Sequence, residues 1–325
     1  MMIKKIILLG LFIYSCSDTN KFEHKYELVE NWPNIDSEII LGNPTGIALN
    51  STENIVIFHR GSRSWQTPMP KEKIKENTII ELEKGSGKVV NAWGADSFIM
   101  PHGLEIDNDD NIWITDVGLQ QVIKFSSSGE ELMVLGKKNE PGNDSFHFNM
   151  PTDVAVADDG SFYVSDGYGN SRIIKFSKNG SYLFEWGIFG KKEIQFNIPH
   201  GLDLDKDENV YVADRENNRI QKFDSTGNFI KQWKNKSVGQ LYSLNVNNDN
   251  NYLIGIDYIV SENSKPIGSD IIYFDLELNL KYRFGRSGMY DGQIARYHDV
   301  QTDKKGNIYV GDILNNSIQK FKLKN

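Results

Sequence analysis

The sequence predicts an all-β chain, a six-bladed β-propeller with four antiparallel strands in each blade. Three observations predict it. One phrase recurs at a fixed spacing: Pro101 stands fifteen residues before Asp116, Pro151 before Asp166, Pro199 before Asp214 and Tyr297 before Asp312, which marks one structural unit used repeatedly. Within each unit, short apolar runs alternate with polar turns, and the i, i+3, i+4 pattern of a helix is missing. The units begin about every fifty residues, the period of a four-stranded blade.

Two weaker copies, Pro44 to His59 and Tyr242 to Asp257, bring the count to six, with starts at 44, 101, 151, 199, 242 and 297. The second unit shows the parts most clearly. Strands are expected over Gly103 to Asp107, Ile112 to Thr115, Gln121 to Phe125 and Glu131 to Leu135, with turns at Asn108 to Asn111 and Ser126 to Gly129. The fourth strands end on large apolar residues, Trp93, Leu135, Trp186, Trp233 and Phe284. At the C-terminal end the text reaches only a third strand, Ser317 to Leu323. The missing one is expected at the other end, where residues 25–32 repeat the pattern of residues 180–186. An N-terminal strand would then complete the last blade, close the ring and remove exposed sheet edges.

Before that strand, residues 1–15 carry Lys4 and Lys5 and then an apolar run, which reads as a signal peptide of lipoprotein type. Cys16, the single cysteine, is expected to be lipidated, residues 16–24 to be a tether, and residues 25–325 to form the propeller. The expected protein is exported and monomeric. It is a membrane-anchored lipoprotein of the periplasm or cell surface that touches the membrane only through the lipid, because the apolar run is too short to span. One cysteine permits no internal disulfide. The formal net charge of −8 becomes about −10 without the two early lysines, which argues against nucleic acid as a partner. A Gly-rich phosphate loop, a G-x-S-x-G elbow and a Cys-x-x-Cys pair are all missing.

In a propeller the first strand of each blade lines the central channel. One residue into each unit the sequence reads Thr45, His102, Thr152, His200, Ser243, His298, so histidine falls on alternate blades, 98 residues apart each time. A lone histidine on a strand is usually a packing residue. Three on one symmetric layer should converge on the axis and leave a fourth ligand position open, as a catalytic zinc requires. His24, His59 and His147 are weaker candidates.

Sixteen residues into each unit stand Arg60, Val117, Gly167, Arg215, Tyr258 and Ile313, on the same face. The two arginines suit a carboxylate-bearing ligand held bidentately. Tyr168 either places a phenol beside them or caps a turn. Asp116, Asp166, Asp214 and Asp312 read as acceptors that fix loops. Asp299, next to His298, either joins backbone carbonyls in an oxygen-only, calcium-type site or orients an imidazole.

These residues resemble the peptidyl-α-hydroxyglycine α-amidating lyases, six-bladed propellers of the NHL-repeat group, and the N-terminal segment suggests a bacterial lipoprotein-like member. The likeness runs from about Gly42 onward. It is carried by Val56-Ile-Phe-His-Arg-Gly61, Pro101-His-Gly-Leu104, Trp113-Ile-Thr-Asp-Val117, Pro151-Thr-Asp-Val-Ala-Val156, Ser165-Asp-Gly-Tyr168 with Asn170-Ser-Arg172, and Ala213-Asp-Arg-Glu-Asn217. It implies a zinc held by His102, His200 and His298, with Tyr168, Arg60 and Arg215 as reactive and carboxylate-binding groups. It also implies a structural calcium bound by the carbonyls of Ile47 and Leu104 and the side chain of Asp299. The implied reaction cleaves a peptidyl- or acyl-α-hydroxyglycine to an amide and glyoxylate, with a separate monooxygenase as the supplier. The phenol of Tyr168 is expected to be made more acidic by nearby cations.

Three positions depart from the family pattern. Asn149 and Gly169 replace a cysteine pair found in animal members, and Arg296 replaces a methionine two residues before the third histidine. A non-enzymatic cell-surface scaffold and a lactonase-like metal-dependent hydrolase are the competing readings. The insertion from Ser62 to Asn77, with Arg63 and Trp65, is expected on the active face as a lid.

Overall fold

The computed structural model describes residues 25–285 and 294–324. The expected signal peptide, Cys16 and the tether with His24 lie outside the described residues. Six antiparallel blades form the ring, each with four strands in line, and in the fifth a short extra strand, Pro266–Gly268, pairs with Tyr252–Val260. The second contains Pro101–Ile106, Ile112–Asp116, Gln121–Phe125 and Glu131–Leu135, and the fourth Pro199–Leu204, Val210–Asp214, Arg219–Phe223 and Phe229–Lys234. The last is Tyr297–Thr302, Ile308–Asp312 and Ser317–Leu323, completed by Tyr26–Leu28. Tyr26 pairs with Leu323 and Leu28 with Phe321, so the ring closes as expected.

The repeated phrase is a set of hydrogen-bond devices. Asp107, Asp205 and Asp303 each accept the backbone N–H two and four residues on, fixing the first hairpin turn. Their other oxygens hold a buried aromatic of the second strand: Trp113, Tyr211 and Tyr309 donate to them at 2.9, 3.0 and 3.2 Å. These rings are almost fully enclosed between blades, and truncating one to alanine costs about 3–5 kcal/mol. At the far end of the second strand, Asp116 accepts the N–H groups of Ile99, Met100, Gly118 and Leu119. Asp166, Asp214 and Asp312 take Asn170, Asn217 and Asn315 at 2.7, 2.8 and 2.6 Å. The loop-fixing role of these aspartates is what the spacing predicts.

The first strands run from Pro101, two residues earlier than expected in the second blade, because the proline still pairs with its aspartate across a β-bulge. The register shifts between Pro44 and Gly46, Pro101 and Leu104, Pro199 and Gly201, Leu241 and Ser243, and Tyr297 and Asp299. A bulge re-aims the extra residue, and here it turns Thr45, His102, His200, Tyr242 and His298 toward the axis. One expectation is corrected. The layer residue of the fifth blade is Tyr242 and not Ser243, because Leu241 pairs with Asp257, leaving sixteen residues where the other blades have fifteen.

Candidate metal centre

The three imidazoles meet at the axis. Their ring centroids lie 4.7, 4.7 and 4.9 Å apart, and their candidate ligand atoms all lie within 4.8 Å of one another. Each Nδ1 faces a main-chain carbonyl of the neighbouring blade's layer residue: His102 that of Thr152 at 2.6 Å, His200 that of Tyr242 at 2.7 Å and His298 that of Thr45 at 3.0 Å. A carbonyl only accepts, so Nδ1 carries the hydrogen and each Nε2 keeps its lone pair. Burial, aided by neighbouring positive groups, holds all three well below the ordinary histidine pKa and therefore neutral. Three neutral, oriented nitrogen donors with carbonyl partners behind them fit a divalent cation of the zinc type.

Above this layer, the Tyr168 hydroxyl lies 3.1 Å from Nε2 of both His102 and His200. Arg215 Nη1 donates to it at 3.2 Å. The side chain of Tyr168 therefore belongs to the centre and does not cap a turn. Burial pushes the phenol up, while Arg215 and Arg60 pull it down. The pull of the two arginines that the sequence anticipates is present, and burial outweighs it.

Arg60 is 3% exposed; its Nε donates to the Pro101 carbonyl at 3.1 Å, and burial draws its guanidinium down to about 10. Arg215 pairs with Glu216 at 3.0 Å. Burial works against its charge, but Tyr168, Tyr242 and Glu216 together hold it above the ordinary value. A cavity of about 360 Å³ opens here, lined by Arg60, Trp65, Tyr168, Arg215, Tyr242, Arg296 and His298, with Asn43, Ile313 and Leu314 at its side. Trp65, from the insertion, packs on Tyr168 at 5.0 Å and under Arg60 at 5.3 Å. The insertion thus walls the pocket, while Arg63 turns away to the Glu72 carbonyl.

Below the histidines, alternate channel-facing residues are carboxylates: Asp153 and Asp299, then Glu105 and Asp203. Asp299 accepts the Ile47 N–H at 2.6 Å and the Ser243 hydroxyl at 2.5 Å, whereas His298 Nδ1 turns to Thr45. Asp299 therefore does not orient the imidazole. Ile47 and Leu104 stand at matching register positions, opposite Ile57 and Ile114. Their strands approach so closely that a Cβ on Gly46 would meet Leu104 Cβ at 2.5 Å. All four acids are pushed up, first by burial; the charges of the others add to this at Glu105, Asp153 and Asp299, and that of Asp205 at Asp203. Among the described residues, no lysine or arginine forms a salt bridge with any of them. Uncompensated acids next to main-chain oxygens fit a hard cation, and a cavity of about 10 Å³ separates the two layers.

The NHL repeat family matches residues 148–176 and 196–223. The chain is 35% identical over 332 residues to peptidyl-alpha-hydroxyglycine alpha-amidating lyase 1 of Drosophila melanogaster, covering 93% of this chain and 60% of that one. It is 34% identical over 287 residues to a probable lyase of the same name from Caenorhabditis elegans, covering 82% and 79%. The chain belongs to the peptidyl-α-hydroxyglycine α-amidating lyase family. Peptidyl-glycine alpha-amidating monooxygenase A of Xenopus laevis is 37% identical over 90% of this chain, which spans 32% of that protein's length. Solved structures of a gluconolactonase from Xanthomonas campestris, with a TM-score of 0.61 at 14% identity over 88% of each chain, and of a streptogramin B lyase, with 0.55 at 14% identity over 92% and 98%, share the propeller fold.

In this chain, the three histidines meet at the axis beneath a cavity lined by His298, Tyr168, Arg60 and Arg215, while Ile47, Leu104 and Asp299 lie together one layer below. The other described histidines stay apart. His59 Nδ1 accepts the N–H groups of Gly42 and Gly61 at 3.4 and 3.1 Å, doing the work of the other blades' aspartates. His147 sits on Asp144 at 2.7 Å in a loop. Tyr242, Asn43 and the acids Glu105, Asp153 and Asp203 escaped the sequence reading. An alignment of the fifth blade on Leu241 would have exposed Tyr242.

Proposed function

We propose that the protein is a zinc-dependent lyase that cleaves a peptidyl- or acyl-α-hydroxyglycine to a primary amide and glyoxylate. The observation that carries the reading is the convergence of three neutral Nε2 lone pairs under the Tyr168 hydroxyl, in a cavity that also holds Arg60 and Arg215. His102, His200 and His298 would hold the zinc, which when bound supplies a Lewis acid for the substrate's α-hydroxyl.

The chain's own groups then have separate tasks. Arg60 and Arg215 hold the substrate carboxylate by charge-assisted hydrogen bonds. Tyr168 receives the proton of the α-hydroxyl and is the nearest group able to return it to the departing nitrogen. The C–N bond breaks with its electron pair going to nitrogen, and the former O–H pair becomes the carbonyl of glyoxylate, so no external oxidant or water is consumed. Trp65 covers Tyr168 and keeps bulk solvent from the proton being moved. In the layer below, Asp299 with the carbonyls of Ile47 and Leu104 would hold a structural calcium that binds adjacent blades together.

Purified protein incubated with α-hydroxyhippurate should release glyoxylate and benzamide in equal amounts, with about one zinc per chain by elemental analysis. An inert, metal-free protein would favour a binding scaffold, and hydrolysis of a lactone without glyoxylate release would favour the hydrolase. A monooxygenase acting on a glycine-extended compound would supply the substrate, a link supported by the relatives that bear that name. The N-terminal pattern supports export and lipid attachment at Cys16. Incorporation of labelled palmitate, lost in Cys16→Ala, tests this.

A further inference from the structure

Arg296 has no assigned task, and its surroundings differ from those of the structural arginines. Arg172 and Arg219 spend all five N–H groups on protein acceptors: their Nε atoms go to Asp166 and Asp214, and the rest to main-chain carbonyls, Glu185 or Gln232. Arg296 gives Nε, at 3.1 Å, and Nη2 to a single acceptor, the Tyr242 hydroxyl. Three of its five donors have no acceptor among the described residues. Its guanidinium rests over the rings of Tyr258 and Tyr242 at 4.8 and 5.3 Å, which fixes the plane without using those donors.

Among the described residues the pocket therefore holds three guanidiniums and no aspartate or glutamate in its lining, and of the three only Arg215 has a carboxylate partner there, Glu216. One hydroxyglycine carboxylate accounts for Arg60 and Arg215, the two cations whose fields act most strongly on the Tyr168 phenol. Arg296 shares the Tyr242 ring with Arg215, at 5.3 and 5.2 Å, and differs from it in also lying over Tyr258, away from Tyr168. A cavity of about 360 Å³ has room there for more than the reacting end of a substrate.

We propose that Arg296, braced by Tyr242 and Tyr258, is a second anion subsite that selects acyl-α-hydroxyglycines carrying a further carboxylate on the acyl side. The inference rests on the lyase reading for the chemistry of the other end of the substrate. A planar guanidinium with free donors in a partly desolvated site suits a second carboxylate. The isosteric neutral amide would leave those donors and the charge unmatched.

The test compares N-succinyl-α-hydroxyglycine with its neutral succinamoyl isostere, following glyoxylate release. The acidic substrate should show a kcat/KM about 10- to 100-fold higher. In Arg296→Met and, as a second variant that keeps a polar side chain, Arg296→Gln, the ratio should fall to within about threefold of unity, while Arg296→Lys restores part of it. A ratio near one in the unaltered protein overturns the proposal. So does a ratio that survives both variants, or an equal loss on both substrates, which would place Arg296 on the hydroxyglycine carboxylate instead. Calorimetric binding of the unreactive pair N-succinylglycine and N-succinamoylglycine reads the same preference without turnover. If neither hydroxyglycine releases glyoxylate, the lyase reading fails, and the binding ratio with its loss in the variants still decides the subsite.

Discussion

The axial channel contains two layers, a few residues apart on the same strands, that solve opposite electrostatic problems. The upper layer holds three imidazoles kept neutral by burial, with arginines above them and hydrogen bonds aiming every Nε2 inward. The lower layer holds four carboxylates raised by burial and by neighbouring acids, with no protein cation paired to them among the described residues. The upper donors are free to bind a metal and have open space above. The lower acids are half-buried, and Glu105 and Asp203 line a cavity of about 380 Å³ on the side away from the histidines; what sets this layer apart is negative charge with no protein cation paired to it among the described residues. On the function proposed above, one serves an exchanging substrate beside a metal and the other a cation that stays.

The sharpest way to break this contrast is to remove a donor from the upper layer. His200→Ala leaves two imidazoles, which should reduce bound zinc well below stoichiometric and glyoxylate release to background, with circular dichroism unchanged. Turnover near that of the unaltered protein would sink the zinc assignment. A smaller effect is expected from Tyr168→Phe, which removes the hydroxyl that sits over two Nε2 atoms and keeps all three metal donors. Zinc content should hold while kcat falls by roughly 10²- to 10⁴-fold. An unchanged kcat would take the proton-transfer role away from this residue.

The ring, its closure by Tyr26–Leu28, and the upper layer were legible in the sequence because a 98-residue interval between histidines survives any uncertainty about strand ends. Ring order turns that interval into a single point in space. Tyr242 was lost for the same reason in reverse. The first hairpin of the fifth blade carries one more residue between layer and aspartate, and a fixed offset lands on Ser243. Of the lower acids only Asp299 was singled out, by its place beside His298; Glu105, Asp153 and Asp203 were hidden because the four fall at two different depths on four blades and form no row in the text. Trp65 could be placed on the active face by its insertion. Its packing against Tyr168 depends on how that loop folds, and loop folding has no period to read.

The lower layer gives the smallest and most discriminating prediction. Asp203 has its carboxyl pushed up to about 7, by burial first, from an ordinary value near 4 in the unfolded chain. The folded state therefore binds this proton more tightly than the unfolded state. Stability from this group is fully present below about pH 4 and is lost as pH rises through the folded value. An asparagine does not titrate and still accepts the Val246 N–H, now held at 2.7 Å. With calcium removed by a chelator, Asp203→Asn should melt at the same temperature as the unaltered protein near pH 4 and on the order of 5 °C higher at pH 8. With calcium present the gain should shrink or reverse, because the ion supplies the missing positive charge and the variant has lost a unit of negative charge near it. A gain at pH 8 that calcium leaves untouched would mean the acids are tolerated by protonation alone, and the two layers would then differ in pKa without differing in the metal they hold.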